Sequence, residues 1–403
     1  MITYAHLSDA QRDLLRTAES VAKELAPVAA AGTPGRVNRP LVAALAEHGL
    51  LSRIFDSAMD LCLLREGLAR YCTEAETALA LQGLGSAAIQ RFGQPAVVAE
   101  WIPRVAAGEA VAAFALTEPD AGSDVAALSL AAERDGEDYV LTGEKIYISN
   151  APDADIYTVF ARTSPKGITG FAVPGDAGGL GGESLTLIAP HPIGRLRFDG
   201  VRVPASHVLG GPDKGMSVAM RTLDLFRPSV GAFAVGMGQA ALDAAVAHAS
   251  RREAFGRPLR QFQGVSHQLA EVAMRLQAAR LLVHSAATAY DTNAGPTTQA
   301  AAMAKLFGTE TAQLAVDVAI QVHGAAALAD DHPLSHLYRE VRAPRIYEGA
   351  SEIQREIIAR ELFRAPSQGS GSSVRGGGQM EHVVLLEVGD RQQDQHDHGD
   401  PAE

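Results

Sequence analysis

The sequence predicts an α+β fold in which a small β domain stands between two helical ones. Three observations carry this expectation. Apolar residues recur at helical spacing from Ser8 to about Gly108, the period shortens toward two between about Ala113 and Gly211, and the helical period returns beyond Gly215. The expected boundaries are 1–112 for the first helical domain, 113–212 for the β domain, 213–364 for the second helical domain and 365–403 for a tail.

In the first segment Leu14, Ala18, Val21 and Leu25 step by three and four, and Ala43, Leu45 and Leu50 resume the pattern after the Pro34-Gly35 break. The middle segment alternates apolar runs (139–141, 146–148, 156–160 and 171–173) with Gly, Pro, Asp and Asn, as strands and turns do. Within it the block 138–149 reads as a hairpin and the glycine cluster 178–182 as a loop. In the last segment Val265, Leu269, Val272, Leu276, Ala279, Val283, Ala286 and Tyr290 form one seam, and a second long helix is expected from about Thr297 to Val322. After Phe363 the composition turns to Gly, Ser, Gln, Asp and His, which cannot bury enough apolar surface to order a chain. Its His396-Asp397-His398 reads as solvated polar sequence rather than a metal site.

Composition excludes several classes. Thirty-five Lys+Arg against 47 Asp+Glu give a net charge of −12, with no basic face for nucleic acid. Apolar runs such as Ala110–Leu116 stop well short of the ~20 residues a membrane span needs. The first residues lack the pattern of a signal peptide, and the cysteines are only Cys62 and Cys72, so a cytoplasmic location is expected and the thiols read as small buried hydrophobes.

Gly236-Met237-Gly238-Gln239-Ala240-Ala241 has the form of a dinucleotide-binding turn, but the helical period of Ala232, Val235, Leu242 and Val246 runs straight through it and no strand follows. The small residues suit close helix approach instead. His332 and His336 have ligand-like spacing near Asp330 and Asp331, yet Pro333 interrupts the helix and no third strong ligand converges, so no metal is expected.

Two segments carry more chemistry. Ala113–Asp124 places Thr117, Glu118, a Pro, a Gly and Ser123 between helical and β regions, where hydroxyls and backbone N–H groups can face a polar ligand. In Arg345–Gln354, Ser351 and Gln354 have capping-box spacing, so a helix is expected to begin at Glu352 and to leave Glu348 on the loop before it.

These two segments, together with Gly143–Asn150, Phe226-Arg227-Pro228, Arg252–Gln263 and Ala359–Leu362, occur in the order and spacing of one family: the chain resembles the FAD-dependent acyl-CoA dehydrogenases over residues 8–364. The resemblance implies an N-terminal α domain, a middle small β-barrel domain and a C-terminal four-helix bundle. It implies an oxidoreductase that converts an acyl thioester to its trans-2-enoyl product, with Glu348 taking the Cα proton, hydride passing from Cβ to flavin N5 and electrons leaving to electron-transfer flavoprotein. Some relatives carry the base just before the Arg227 position, where this chain has Phe226. By the same resemblance Thr117, Ser123, Tyr147 and Ser149 meet FAD, and Arg252, Phe255, Gln263, Gln321 and Gly324 reach the cofactor of a neighbouring subunit in a homotetramer. Ser123, Asp224, Arg227 and Gly349 face the substrate. The chain departs from the family at Gly324-Ala325, Ala350 and Glu352, and it lacks the usual glycine-rich loop between Leu51 and Met59. Within the same fold, an acyl-carrier-protein thioester, O2 as acceptor, or flavin binding without turnover are the alternatives.

Overall fold

The computed structural model describes residues 4–295 and 297–364; the expected tail at 365–403 lies outside the described residues. Six helices open the chain: α1 (Asp9–Ala30), α2 (Arg39–Glu47), α3 (Leu50–Arg53), α4 (Ala58–Ala69), α5 (Thr73–Phe92) and α6 (Pro95–Ala106). The first begins at a true capping box: Gln11 N–H donates to Ser8 Oγ at 3.2 Å, and Ser8 N–H to Gln11 Oε1 at 2.9 Å. Its Leu14, Ala18, Val21 and Leu25 are buried, as their spacing requires. Cys62 and Cys72 are free and buried.

Eight strands follow: β1 (Ala112–Ala115), β2 (Ala131–Asp135), β3 (Asp138–Ser149), β4 (Ile156–Arg162), β5 (Ile168–Pro174), β6 (Leu180–Ser184), β7 (Ile193–Pro204) and β8 (Val208–Leu209). They form one sheet in the order β6-β7-β3-β2-β4-β5-β8, with β1 added parallel to β4. Along β4, Tyr157, Val159 and Ala161 enter the core with Leu141, Phe171 and Val201, while Ile156 and Phe160 pack with Trp101, Val105 and Val218 of the flanking helices. Both faces of this strand are therefore covered, and it reads as a continuous apolar run.

Two expectations fail here. The block 138–149 is one continuous strand rather than a hairpin; the turn precedes it, pairing Asp135 with Asp138. The glycine at 143 marks a register shift against β7, where a Cβ would press on Leu130 at 2.9 Å. The glycine cluster is a loop only at its start, because Leu180, Gly181 and Gly182 pair with Phe198, Arg197 and Leu196 as an edge strand. At Gly182 a Cβ would lie 2.6 Å from Arg195 O, so the strand keeps its glycine for close approach.

The remaining helices are α7 (Gly215–Arg251), α8 (Gln263–Asp291), α9 (Thr297–His323), α10 (Pro333–Arg342) and α11 (Ser351–Leu362). The α8 seam is buried from Leu269 to Ala286, and α9 matches the expected span. Helix α7 is the axle of the bundle, and the glycines at 231, 236 and 238 bring it close to α9, α4 and α8. A Cβ at Gly231 would lie 2.8 Å from Ala304 O, one at Gly238 2.7 Å from Leu276 Cδ2, and one at Gly236 would strike Glu66 O. Residues 236–241 are thus helix, not a nucleotide-binding turn. This 37-residue helix is long and apolar enough to cross a membrane, a length that a search for unbroken apolar runs overlooks, but 72% of its most apolar window is buried within the protein.

Candidate active site

Residues 346–350 form a short loop between a 3-10 turn at Ala343–Arg345 and α11. Glu348 sits in it with φ of 53°, a left-handed conformation that costs a residue with a Cβ about 1–2 kcal/mol. Side chains from three helices hold it there. Arg227 Nε of α7 donates to Glu348 O at 3.3 Å, Lys305 Nζ of α9 donates to Gly349 O at 2.6 Å, and Gln354 Nε2 of α11 donates to both carbonyls at 3.2 and 2.9 Å. The expected capping box is therefore absent: Gln354 ties the loop instead, Ser351 Oγ donates to Glu310 at 2.6 Å, and no side chain caps α11. Buried carbonyls demand donors, and here the tertiary demand overrides the local motif.

With both carbonyls engaged, the Glu348 and Gly349 N–H groups donate to no protein acceptor among the described residues. The residue as a whole is half-buried, but its Oε2 is enclosed without a hydrogen-bond partner. Burial raises the Glu348 pKa above the ordinary carboxylate value, while Arg65, Lys305 and Arg227, in that order, act to lower it. None of the three cations bonds the carboxylate. Arg65 pairs with Glu76 and donates to Ser229 Oγ at 2.7 Å, and Arg227 pairs with Asp224 at 2.9 Å, which in turn accepts from Thr298 Oγ1 at 2.9 Å. The result is a carboxylate that is poorly solvated, unpaired and held above the ordinary carboxylate pKa range, the condition of a strengthened base beside two unused backbone donors.

A second cluster lies on β3. Glu118 and Lys145 form a buried ion pair at 2.7 Å, and Lys145 also donates to Leu116 O at 2.9 Å. Glu118 accepts further bonds from Ser129 N at 2.6 Å, Ser129 Oγ at 2.8 Å and Leu130 N at 2.9 Å. Burial moves the Lys145 ammonium down to about 8, and its charge helps to keep Glu118 ionised. Next to this pair, Ile146 N–H donates to Thr117 O at 3.0 Å, and a second register shift in β3 spans Lys145 to Ile148. At that bulge Tyr147 takes φ of 57° and is 55% exposed, two residues before the half-buried Ser149.

The structure therefore joins Glu348, Gly349, Arg227 and Asp224 in one bonded group, and places Tyr147 and Ser149 at the β3 bulge beside Ile146, which bonds Thr117 O. Ser123 is exposed in the loop beyond Glu118 and is joined to neither group by a hydrogen bond among the described residues. Arg252, Phe255 and Gln263 are exposed between α7 and α8, with Phe255 96% exposed at φ of 52°. Gln321 and Gly324 are exposed at the end of α9, where Gly324 takes φ of 65°. His332 caps α10 by accepting Leu334 N–H, and His336 bonds Thr73 Oγ1 at 2.7 Å. The sequence reading misses Arg65, Lys305 and the Glu118–Lys145 pair; for Lys305 the available signal is a lone charge at a core position, among Ala301, Ala302, Ala304 and Gly308.

These residues fit a flavin and an acyl thioester on structural grounds: an exposed aromatic on a bulge, uncommitted hydroxyls, and an unpaired enclosed carboxylate beside free N–H groups. Comparison with known proteins agrees. Three family models match in order: acyl-CoA dehydrogenase N-terminal domain at 8–109, middle domain at 113–201 and C-terminal domain at 213–363. Cyclohexane-1-carbonyl-CoA dehydrogenase of Geobacter metallireducens is 34% identical over 89% of this chain and 98% of its own length. Among solved structures, butyryl-CoA dehydrogenase of Megasphaera elsdenii superposes with a TM-score of 0.84 at 32% identity, covering 89% of this chain and 99% of the other. The FAD complex of PigA superposes equally well, with a TM-score of 0.84 at 26% identity over 88% and 98% of the two chains. The chain belongs to the acyl-CoA dehydrogenases, a family of FAD-binding oxidoreductases.

Proposed function

We propose that this protein oxidises an acyl-CoA thioester to the trans-2-enoyl-CoA, with Glu348 as the base. The observation that carries this reading is the enclosed, unpartnered Oε2 of Glu348, surrounded by cations that bond other groups. A Cα–H becomes acidic only when the neighbouring carbonyl is polarised, and the unused N–H groups of Glu348 and Gly349 are the donors at hand. Glu348 Oε2 takes the Cα proton as the C–H bond breaks, and the acyl group is held from the Asp224–Arg227 side. Thr117, Tyr147 and Ser149 hold the flavin ring, with Ser123 at the boundary between cofactor and substrate. When bound, FAD supplies the two-electron acceptor for hydride leaving Cβ, which completes the double bond. Phe226 lies buried against Gly83, where an added Cβ would sit 2.9 Å from the Phe226 ring, so that position offers no competing base.

Arg252, Phe255 and Gln263, with Gln321 and Gly324, hold the pyrophosphate and adenosine of a neighbouring subunit's cofactor in a homotetramer. The Arg252 backbone N–H donates to His248 O at 2.8 Å, its exposed guanidinium has no hydrogen-bond acceptor among the described residues, and a guanidinium suits a pyrophosphate. Electrons then pass to electron-transfer flavoprotein in the cytoplasm.

The test is anaerobic flavin reduction by a panel of acyl-CoA thioesters, comparing the parent with Glu348→Gln. The variant should retain FAD and lose at least about 100-fold in reduction rate, within the usual worth of a general base. A variant that bleaches at the parent rate removes Glu348 from the role, and a parent that no CoA thioester bleaches points to a carrier-protein thioester or to a non-catalytic chain.

A further inference from the structure

The strongest unassigned feature at the site is Lys305. Its side chain is fully buried in α9, and its Nζ reaches Gly349 O at 2.6 Å. A buried ammonium is costly to desolvate, and burial moves this one down to about 8, so a hydrogen bond to one carbonyl would offset little of that cost if support were its whole purpose. Gln354, a neutral side chain, already donates to the same carbonyl at 2.9 Å. What Lys305 adds beyond Gln354 is charge, placed one residue from Glu348.

We propose that Lys305 is a positioning residue for the dehydrogenation: it fixes the Glu348–Gly349 turn through Gly349 O and adds a buried positive charge beside the Glu348 carboxylate. This rests on Glu348 being the base.

The other charged groups acting here are engaged elsewhere. Arg65 of α4, whose charge acts on Glu348 ahead of that of Lys305, is held away from the turn by Glu76 of α5 and Ser229 of α7. Arg227 of α7 pairs with Asp224. Glu310 of α9 pairs with Arg345, and Glu352 of α11 lies near Arg355. Tyr347, on the loop itself, is held neutral because burial raises its phenol well above 10. Glu340 of α10 adds only to the pull on Tyr347, and Arg360 of α11 acts on Arg227. Lys305 is left as a buried cation next to the turn with no carboxylate bonded to it among the described residues.

Removing the charge should raise the Glu348 pKa, because a nearby cation favours the ionised form and burial then acts with less opposition. Since the base must be ionised to accept a proton, the acid limb of the pH–rate profile should move to higher pH. The experiment measures the anaerobic rate of flavin reduction by a reactive acyl-CoA from pH 5.5 to 9 in FAD-loaded protein, for the parent, Lys305→Met, Lys305→Gln and Gln354→Met. Both Lys305 variants should move the acid limb upward by about one pH unit. Gln354→Met, which removes hydrogen bonds but no charge, should slow reduction by about tenfold and leave the limb in place.

An unmoved limb in both Lys305 variants overturns the inference while leaving Glu348 as the base. A Glu348→Gln protein that reduces normally overturns the base assignment itself, so the two failures are distinct. If Lys305→Met does not hold FAD, Lys305→Gln, which keeps a donor of similar shape, decides the matter. Loss of folding in both would show that Lys305 serves the bundle rather than the turn, and would also overturn the inference.

Discussion

The Glu348 turn and the Arg252–Gln263 segment are opposites in how the chain satisfies them. At the turn, both carbonyls are bonded, three helices contribute side chains, and three cations act on one carboxylate. Between α7 and α8, Arg252 and Gln263 are exposed and Phe255 holds a left-handed conformation while 96% exposed. The first region is complete within one chain. The second combines strain and exposed apolar surface with contacts this chain does not make, the signature of a surface built for something outside it. The proposed function accordingly assigns proton abstraction to the inside of the subunit and the grip on the far end of the cofactor to a neighbour.

The sharpest way to break that division is through the residue pair that ties the flavin side to the fold. Lys145→Met leaves Glu118 buried without its cation, which should destabilise the protein by about 3–5 kcal/mol. Because the Ile146–Thr117 bond and the Tyr147 bulge adjoin that pair, FAD retention should fall together with the unfolding midpoint. Full stability with normal FAD content would mean that the ion pair does not organise the flavin side.

A smaller effect is expected at the exposed segment. Arg252→Ala should weaken FAD binding by about 10- to 100-fold, the worth of one charged hydrogen bond to a phosphate, with little change in the stability of the apoprotein. The rate of reduction per bound flavin should stay at the parent value. The outcome to look for is a titration of apoprotein with FAD alongside single-turnover reduction; a fall in rate per flavin would place Arg252 in the chemistry and erase the contrast between the regions.

The same contrast explains what the sequence could reveal. Helices α8 and α9 were legible because the burial of one face imposes a period, and Leu269 through Ala286 obey it. Glu348 was legible as a loop carboxylate beside a glycine, and the ordered motifs are what suggested the chemistry proposed for it. The capping box at Ser351 was not, because Gln354 is drawn to two buried carbonyls that only the tertiary structure places within reach. Nor was the role of the glycine at 143, since a bulge and a turn use the same residue and are told apart only by the strand across from it. Lys305 was invisible for a related reason: helical periodicity scores it as an interruption of an apolar seam, and its partner lies 44 residues away.

The smallest effect tests how far the charge pattern around the turn extends. Glu340 of α10 is buried, and burial, followed by Glu74 and Glu76, pushes its carboxyl up to about 8. A group whose folded pKa lies above its unfolded value of 4.5 weakens the folded state progressively as pH rises from about 4.5 to about 8, because the folded protein resists releasing a proton that the unfolded chain releases freely. Glu340→Gln removes that penalty while keeping the shape. Its apparent Tm should match the parent within a degree at pH 5 and exceed it by about 1–3 °C at pH 8.5, as expected of a gain of ~1 kcal/mol in a chain of this size. A difference that does not grow with pH would mean that Glu340 is ionised and solvated in the folded protein, outside the buried group of charges that surrounds Tyr347.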